Sequence, residues 1–111
     1  MAARYVKKGD IGIPFEATLT DSDGAAVNLT GASVDFVMRL ASPAGTTPKV
    51  NADAVVVGTP TNGQVSYTTQ AADLNTVGTY FVEWEVTFGG GGVQRYPGDG
   101  YNVVAVRDNL E

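Results

Sequence analysis

The chain has 111 residues, 43% of them hydrophobic and 17% charged, which predicts one globular domain and excludes a generally disordered chain. Its net charge of −5 makes nucleic acid an unfavourable partner, because phosphate backbones bind clustered lysine and arginine. No apolar run approaches the roughly 18 residues that span a bilayer, so we expect no membrane partner and no targeting segment.

The chain begins with a basic segment. Arg4, Lys7 and Lys8 are three of the seven basic residues, and all three fall within the first eight positions. Such a segment is either a solvated tail or an arm that contacts a partner. We predict a short basic arm over residues 1–8, with Arg4, Tyr5, Lys7 and Lys8 as candidate interface residues.

Most of the remaining chain shows the alternation of β-strands. Apolar residues recur at every second position, and turn residues interrupt them about every eight to twelve residues. The predicted strands are 15–19, 27–29, 33–40, 55–57, 64–68, 80–88 and 101–106. We expect 15–19 with 27–29, and 55–57 with 64–68, to form β-hairpins. About seven strands at this spacing predict an all-β, immunoglobulin-like antiparallel sandwich in a single domain.

The strand over residues 80–88 has the clearest pattern. Tyr80 and Trp84 lie on its inward row, where Tyr80 is expected to bond back to the preceding backbone as a tyrosine corner. Glu83 and Glu85 lie on its outward row, and Phe81 places an aromatic ring among them. An aromatic residue on a polar row indicates a covered surface. Phe81, Glu83 and Glu85 are therefore further candidate interface residues.

The sequence offers no convincing catalytic or metal site. It has no histidine, the commonest general base, and no cysteine. Glu83 and Glu85 share a strand face at about 6 to 7 Å, but a solvated face explains them better than a glycosidase pair. The segment 21–24 resembles the start of a calcium loop, yet Ala32 stands where such a loop needs glutamate, so a plain turn is favoured. We predict no enzyme, no cofactor and no metal ligand.

Tyr96 is the remaining candidate interface residue. It precedes the segment 97–100, which Tyr101 follows, and the four glycines at 89–92 form a nearby strand connection. Exposed tyrosines beside such loops are suited to stacking on sugars, although both rings can equally pack the end of the sandwich. A host glycan is therefore an alternative partner.

Several stretches carry a family resemblance. In chain order they read KGDIGIPFEATL, DSDG, VNLTGA and FVMR, then GTY, WEVTF and YPGDGY. Together they resemble the immunoglobulin-like N-terminal domain of tailed-bacteriophage baseplate upper proteins. The resemblance implies a virion structural protein that docks on other virion proteins, in multiple copies or as a homo-oligomer. It implies a tail or baseplate component, with capsid or neck decoration as the alternative, and no catalytic residues.

Overall fold

The computed structural model describes residues 4–41, 48–97 and 102–108 of the chain. Strands make up 53% of these residues and helix 3%, which confirms the all-β prediction. The described strands are β1 (Arg4–Lys7), β2 (Pro14–Thr18), β3 (Ser33–Leu40), β4 (Val50–Asp53), β5 (Val55–Val56), β6 (Gln64–Thr68), β7 (Gly78–Thr87), β8 (Val93–Tyr96) and β9 (Asn102–Arg107). One 3₁₀ turn spans Pro60–Asn62, and no described helix is long and apolar enough to cross a membrane.

The strands form two sheets that pack face to face. The larger sheet has the order β1-β9-β7-β3-β4, with β8 pairing β7 beside β9. The smaller sheet has the order β2-β6-β5. Ala54 separates β4 from β5, so the chain crosses from one sheet to the other there. This arrangement confirms the predicted sandwich, and β1, β4 and β8 are additional strands too short to show a clear alternation.

The predicted hairpin between 15–19 and 27–29 forms only at its turn. Thr20 and Ala26 make an antiparallel bridge, and the Val27 N–H donates to the Leu19 carbonyl at 2.9 Å. Residues 27–29 form no strand, and β2 takes β6 as its ladder partner. The turn between Thr20 and Ala26 is tight because Asp21 Oδ1 accepts the N–H groups of Asp23 and Ala25 at 2.9 and 3.0 Å. The following segment packs its apolar side chains into the core without joining a sheet.

The basic N-terminal segment is largely part of the sheet rather than an arm. β1 pairs in parallel with β9, from Arg4 opposite Val104 to Lys7 opposite Arg107. Val6 is buried in the core, which anchors the strand. Four residues are too few for alternation to reveal a strand in the sequence. Residues 1–3 of the predicted arm lie outside the described residues.

Aromatic rings fill the middle of the sandwich. Phe36 is fully buried and stacks on Phe15 and Tyr67, at centroid distances of 5.4 and 4.6 Å. Trp84 meets Phe36 edge-on at 5.1 Å. The tyrosine corner is confirmed, since the Tyr80 hydroxyl donates to the carbonyl oxygen of Thr76 at 2.8 Å. The inward row of β7 therefore holds the core, as its alternation predicts.

Candidate binding cleft

A cleft of about 870 Å³ opens between the two sheets at one end of the sandwich. This volume lies within the range of known ligand pockets. One wall is the end of β2 with the turn after it, and the other wall is β8. The described lining residues are Ala17, Thr18, Leu19, Thr20, Asp21, Ser22, Trp84, Val93, Gln94, Arg95, Tyr96, Pro97 and Asn102.

The β2 wall is an unpaired strand edge. The Leu19 N–H donates to Gly63, and the Ile13 carbonyl accepts from Thr69, so the odd-numbered residues of this strand bond toward β6. In an antiparallel ladder the intervening residues direct their backbone groups the other way. Thr18 therefore points its N–H and carbonyl away from β6, on the side that lines the cleft.

The β8 wall is a second unpaired edge. The Phe88 N–H donates to Gly92, so even-numbered residues of β8 bond toward β7, and Val93 and Arg95 turn their backbone groups outward. β1 covers the corresponding edge of β9, but among the described residues its pairing begins at Val104. Within the described part of the chain, two strand edges therefore border one cleft without backbone partners.

Trp84 lies beneath this cleft. Its side chain is 2% exposed, and its indole Nε1 is buried with no hydrogen-bond partner among the described residues. A buried donor without an acceptor costs about 1–3 kcal/mol, so such groups are rare in folded proteins. The edge-on contact with Phe36 holds the indole in place. The cleft therefore combines two open edges with one unsatisfied donor.

Tyr96 is a wall of the cleft rather than an exposed stacking ring. It lies opposite Trp84 in the β7–β8 ladder and is only 7% exposed, so its ring packs the end of the sandwich, which is one of the two alternatives left open by the sequence. Its hydroxyl donates to Gln94 Oε1 at 2.7 Å. Burial raises the Tyr96 pKa, and the Asp21 carboxylate raises it further. Tyr101 and the segment 98–100 lie outside the described residues.

The basic candidates lie away from the cleft, at the β1 edge. The Arg4 guanidinium contacts Phe15 of the other sheet, so it joins the two layers instead of pointing to a partner. Tyr5 is 64% exposed, and Arg107 packs over its ring at 4.8 Å. Lys7 lies on the same strand. Lys8 follows the strand, and its Nζ lies 3.6 Å from Asp108 Oδ1.

The remaining candidates share the outer face of the larger sheet. Phe81, Glu83 and Glu85 all point outward from β7 and are half-buried. Glu85 forms an ion pair with Arg95 of β8 at 3.0 Å. Of all the predicted interface residues, only Tyr96 borders the cleft. Alternation in the sequence cannot show that Thr18, Val93 and Arg95 border the cleft. Their backbone groups are open only because the edges of β2 and β8 have no strand partner, which depends on the tertiary fold.

The turn at 21–24 behaves as a turn. Asp21 Oδ1 accepts hydrogen bonds from two backbone N–H groups of its own loop, those of Asp23 and Ala25. Across residues 4–41, 48–97 and 102–108, no group of three or more acidic, histidine or cysteine side chains is arranged to hold a metal ion. The hydrogen bonding therefore favours the turn interpretation over a calcium loop.

The fold is similar to that of a solved structure. No protein-family model and no curated protein sequence matches the chain. CopC from Methylosinus trichosporium OB3b matches with a TM-score of 0.54 and 15% identity, over 100% of this chain and 89% of that chain. At this identity the likeness shows the fold, a β-sandwich.

This neighbour corrects the functional reading of the sequence. It contradicts the expected role as a tail, baseplate, neck or capsid component, the glycan-binding alternative, and the virion localisation. The motifs behind that expectation are mostly turns and strand starts, which unrelated sandwiches share. The resemblance to the baseplate domain family is itself untested by this neighbour and stays a prediction.

Proposed function

We propose that this protein is a non-catalytic binding module that takes up an extended polypeptide segment of another protein in the cleft between β2 and β8. The observation that carries the proposal is the pair of unpaired strand edges bordering the cleft. Open edges present rows of backbone donors and acceptors, which an incoming strand satisfies by β-addition. We place the added strand on β8, because β1 already occupies the neighbouring stretch of the same sheet edge on β9.

Trp84 supports a polar contact from the incoming segment. Its unsatisfied indole N–H requires an acceptor, and a side-chain amide or hydroxyl oxygen on the segment supplies one. Side chains of an added strand alternate between the cleft and the outside. The preferred segment therefore carries an acceptor residue at one inward position, with small residues at the inward positions beside it.

The charged groups at the cleft support a non-catalytic role. The Asp21 carboxylate accepts hydrogen bonds within its own turn, and Arg95 pairs with Glu85. Proton transfer needs a group whose pKa suits both protonation states near neutrality, and histidine is absent from the sequence. Binding is the chemistry that these side chains support.

A copper-binding function does not fit the residues of this chain. Copper is bound most readily by imidazole and by sulfur ligands, and the sequence has no histidine or cysteine. Met38 is 1% exposed and belongs to the core. We therefore assign no step of the function to copper.

The binding of selected peptides tests the proposal. A random linear peptide library is panned against the protein, and the selected peptides are titrated against the fluorescence of Trp84, the single tryptophan. Val93→Pro removes an outward N–H without breaking a β7–β8 hydrogen bond, and Val93→Thr is the matched control that keeps the N–H. We expect Val93→Pro to weaken binding by about tenfold and Val93→Thr to leave it unchanged.

Two further results show whether the peptide binds in the cleft and whether it pairs with β8 or with β2. Thr18→Pro, with Thr18→Val as its control, removes the corresponding donor on β2, and we expect it to have the smaller effect. Unaltered binding by both proline variants would refute strand addition in the cleft. Circular dichroism and melting temperature show that each variant is folded.

A further inference from the structure

The outer face of the larger sheet is divided into a cationic half and an anionic half. The strand registers place the outward cations near the start of β7 and the outward carboxylates near its end. The cationic half consists of Lys7, Arg107 and Arg39. The anionic half consists of Asp35, Asp53, Glu83 and Glu85, with Arg95 paired to Glu85.

Apolar side chains lie between the two halves. Phe81 stands opposite Val103 in the β7–β9 ladder, and Val37 stands opposite Glu83 in the β3–β7 ladder. All three apolar side chains are half-buried on the outward side. An apolar centre between charged margins is the usual anatomy of a protein interface.

The anionic half holds more negative charge than its own cation neutralises. Asp35 lies directly opposite both Asp53 and Glu85. Like charges at directly opposed positions destabilise a sheet. Burial raises the Asp35 pKa, and the hydrogen bond and charge of Asp53 and the charge of Glu85 add to the effect. Cations from outside the chain would relieve this repulsion.

The two halves are complementary under a twofold rotation. An axis lying in the face, perpendicular to the line joining the halves, exchanges the cationic half with the anionic half. Two copies related by this axis pair opposite charges twice and bring Phe81 near its counterpart, which is the geometry of an isologous interface.

We infer that a second copy of this chain packs on the outer face of the larger sheet, forming a closed dimer. The inference goes beyond the proposed cleft function, and its surface meets the cleft at Arg95 of β8. Because the interface is isologous, association stops at two copies instead of growing into longer assemblies.

Charge reversal tests the dimer by sedimentation velocity over a range of protein and salt concentrations. The double variant Asp53→Lys with Glu83→Lys makes both halves cationic, and Lys7→Glu with Arg39→Glu makes both halves anionic. We expect each variant alone to dimerise at least about tenfold more weakly than the wild type, since like charges then oppose each other. Mixing the two variants restores a dimer, because a cationic face then meets an anionic one.

A matched control separates this interface from a general charge effect. Glu16→Lys with Asp23→Lys makes the same change in net charge at exposed positions outside the face, and we expect wild-type association. Wild-type protein that stays monomeric, or variants that dimerise like the wild type, would overturn the inference. Neither result changes the peptide binding that tests the cleft proposal. The dimer can therefore be refuted while the cleft proposal stands, and the reverse also holds.

Discussion

The guanidinium of Arg4 lies over the ring of Phe15, with its Cζ 4.7 Å from the ring centroid. Its Nη1 also donates to the carbonyl oxygen of Pro14 at 2.5 Å. Arg4 belongs to the larger sheet and both partners belong to the smaller one, so this side chain closes one end of the sandwich. It also occupies the first outward carbonyl of β2, which leaves Thr18 as an open position further along that edge.

Replacing Arg4 tests this link between the sheets. Arg4→Ala removes a cation–π contact and a charge-assisted hydrogen bond at an exposed site, so we expect a loss of about 1–2 kcal/mol in unfolding free energy. Urea denaturation measures it. Lys7→Ala on the same strand is the control and should cost less than about 0.5 kcal/mol. Equal effects of the two substitutions would show that Arg4 does not join the sheets.

Gly63 is predicted to be intolerant of a side chain for two separable reasons. Its φ is +68°, and an added Cβ would stand 2.7 Å from the carbonyl oxygen of Leu19. Gly58 has a similar φ of +66°, but its added Cβ would meet only Gln64 Oε1 at 4.0 Å. Gly58→Ala should therefore cost about 1 kcal/mol from backbone strain alone, and Gly63→Ala about 2–4 kcal/mol. Chemical denaturation giving the same cost for both would exclude the steric contribution.

The tyrosine corner gives a third prediction. Tyr80→Phe deletes the hydroxyl that donates to Thr76 and leaves the ring in the core. We expect a loss of about 1 kcal/mol in unfolding free energy, the usual net value of one hydrogen bond. Tyr96→Phe removes a hydroxyl bonded to the exposed Gln94 side chain and should cost less. A larger loss for Tyr96→Phe in thermal denaturation would contradict the assigned importance of the corner.

Asp35 predicts a pH-dependent stability. Burial and the neighbouring carboxylates raise the pKa of Asp35 in the folded protein above its ordinary value of 3.8. The stability that Asp35 contributes is therefore complete below pH 3.8 and is lost as pH rises through the pKa of the folded state. Asp35→Asn removes the charge and keeps a group able to bond to Asp53. We expect the variant to be more stable than the wild type near neutral pH by about 0.5–1 kcal/mol.

The pH profile distinguishes this repulsion from a general effect of removing charge. The advantage of Asp35→Asn should disappear in acid, where the wild-type carboxyl is protonated. Asp23→Asn, in an exposed turn, is the control and should show little change at either pH. A variant that is equally stabilised at acidic and neutral pH would rule out titration of Asp35 as the cause.

The core of the fold is predictable from the sequence because alternation reports burial directly. Tyr80 and Trp84 fall on one inward row, and the structure buries both. Alternation does not distinguish a strand from a buried loop that presents apolar residues, so it predicts a strand at 27–29 where the structure has a loop. Nor does it reveal β1, whose four residues show only one buried side chain, Val6.

The cleft is not predictable from the same pattern. Whether Thr18 and Val93 keep free backbone groups depends on which strands become neighbours, and that choice is made by tertiary packing. The sequence pattern instead predicts interface residues on the outer face, such as Phe81 and Glu85. Those residues are exposed enough to contact a partner, but they lie outside the cleft.

The most direct measurement of the central claim is an N-methyl scan of one selected peptide, read by Trp84 fluorescence. Strand addition bonds the backbone of alternate residues to β8, so N-methylation should weaken binding at every second position and be tolerated between them. In Val93→Pro the unmethylated peptide should bind about tenfold more weakly, because the Val93 N–H is lost while its carbonyl remains. A scan without this two-residue period, or peptide affinities unchanged by Val93→Pro, would contradict the account.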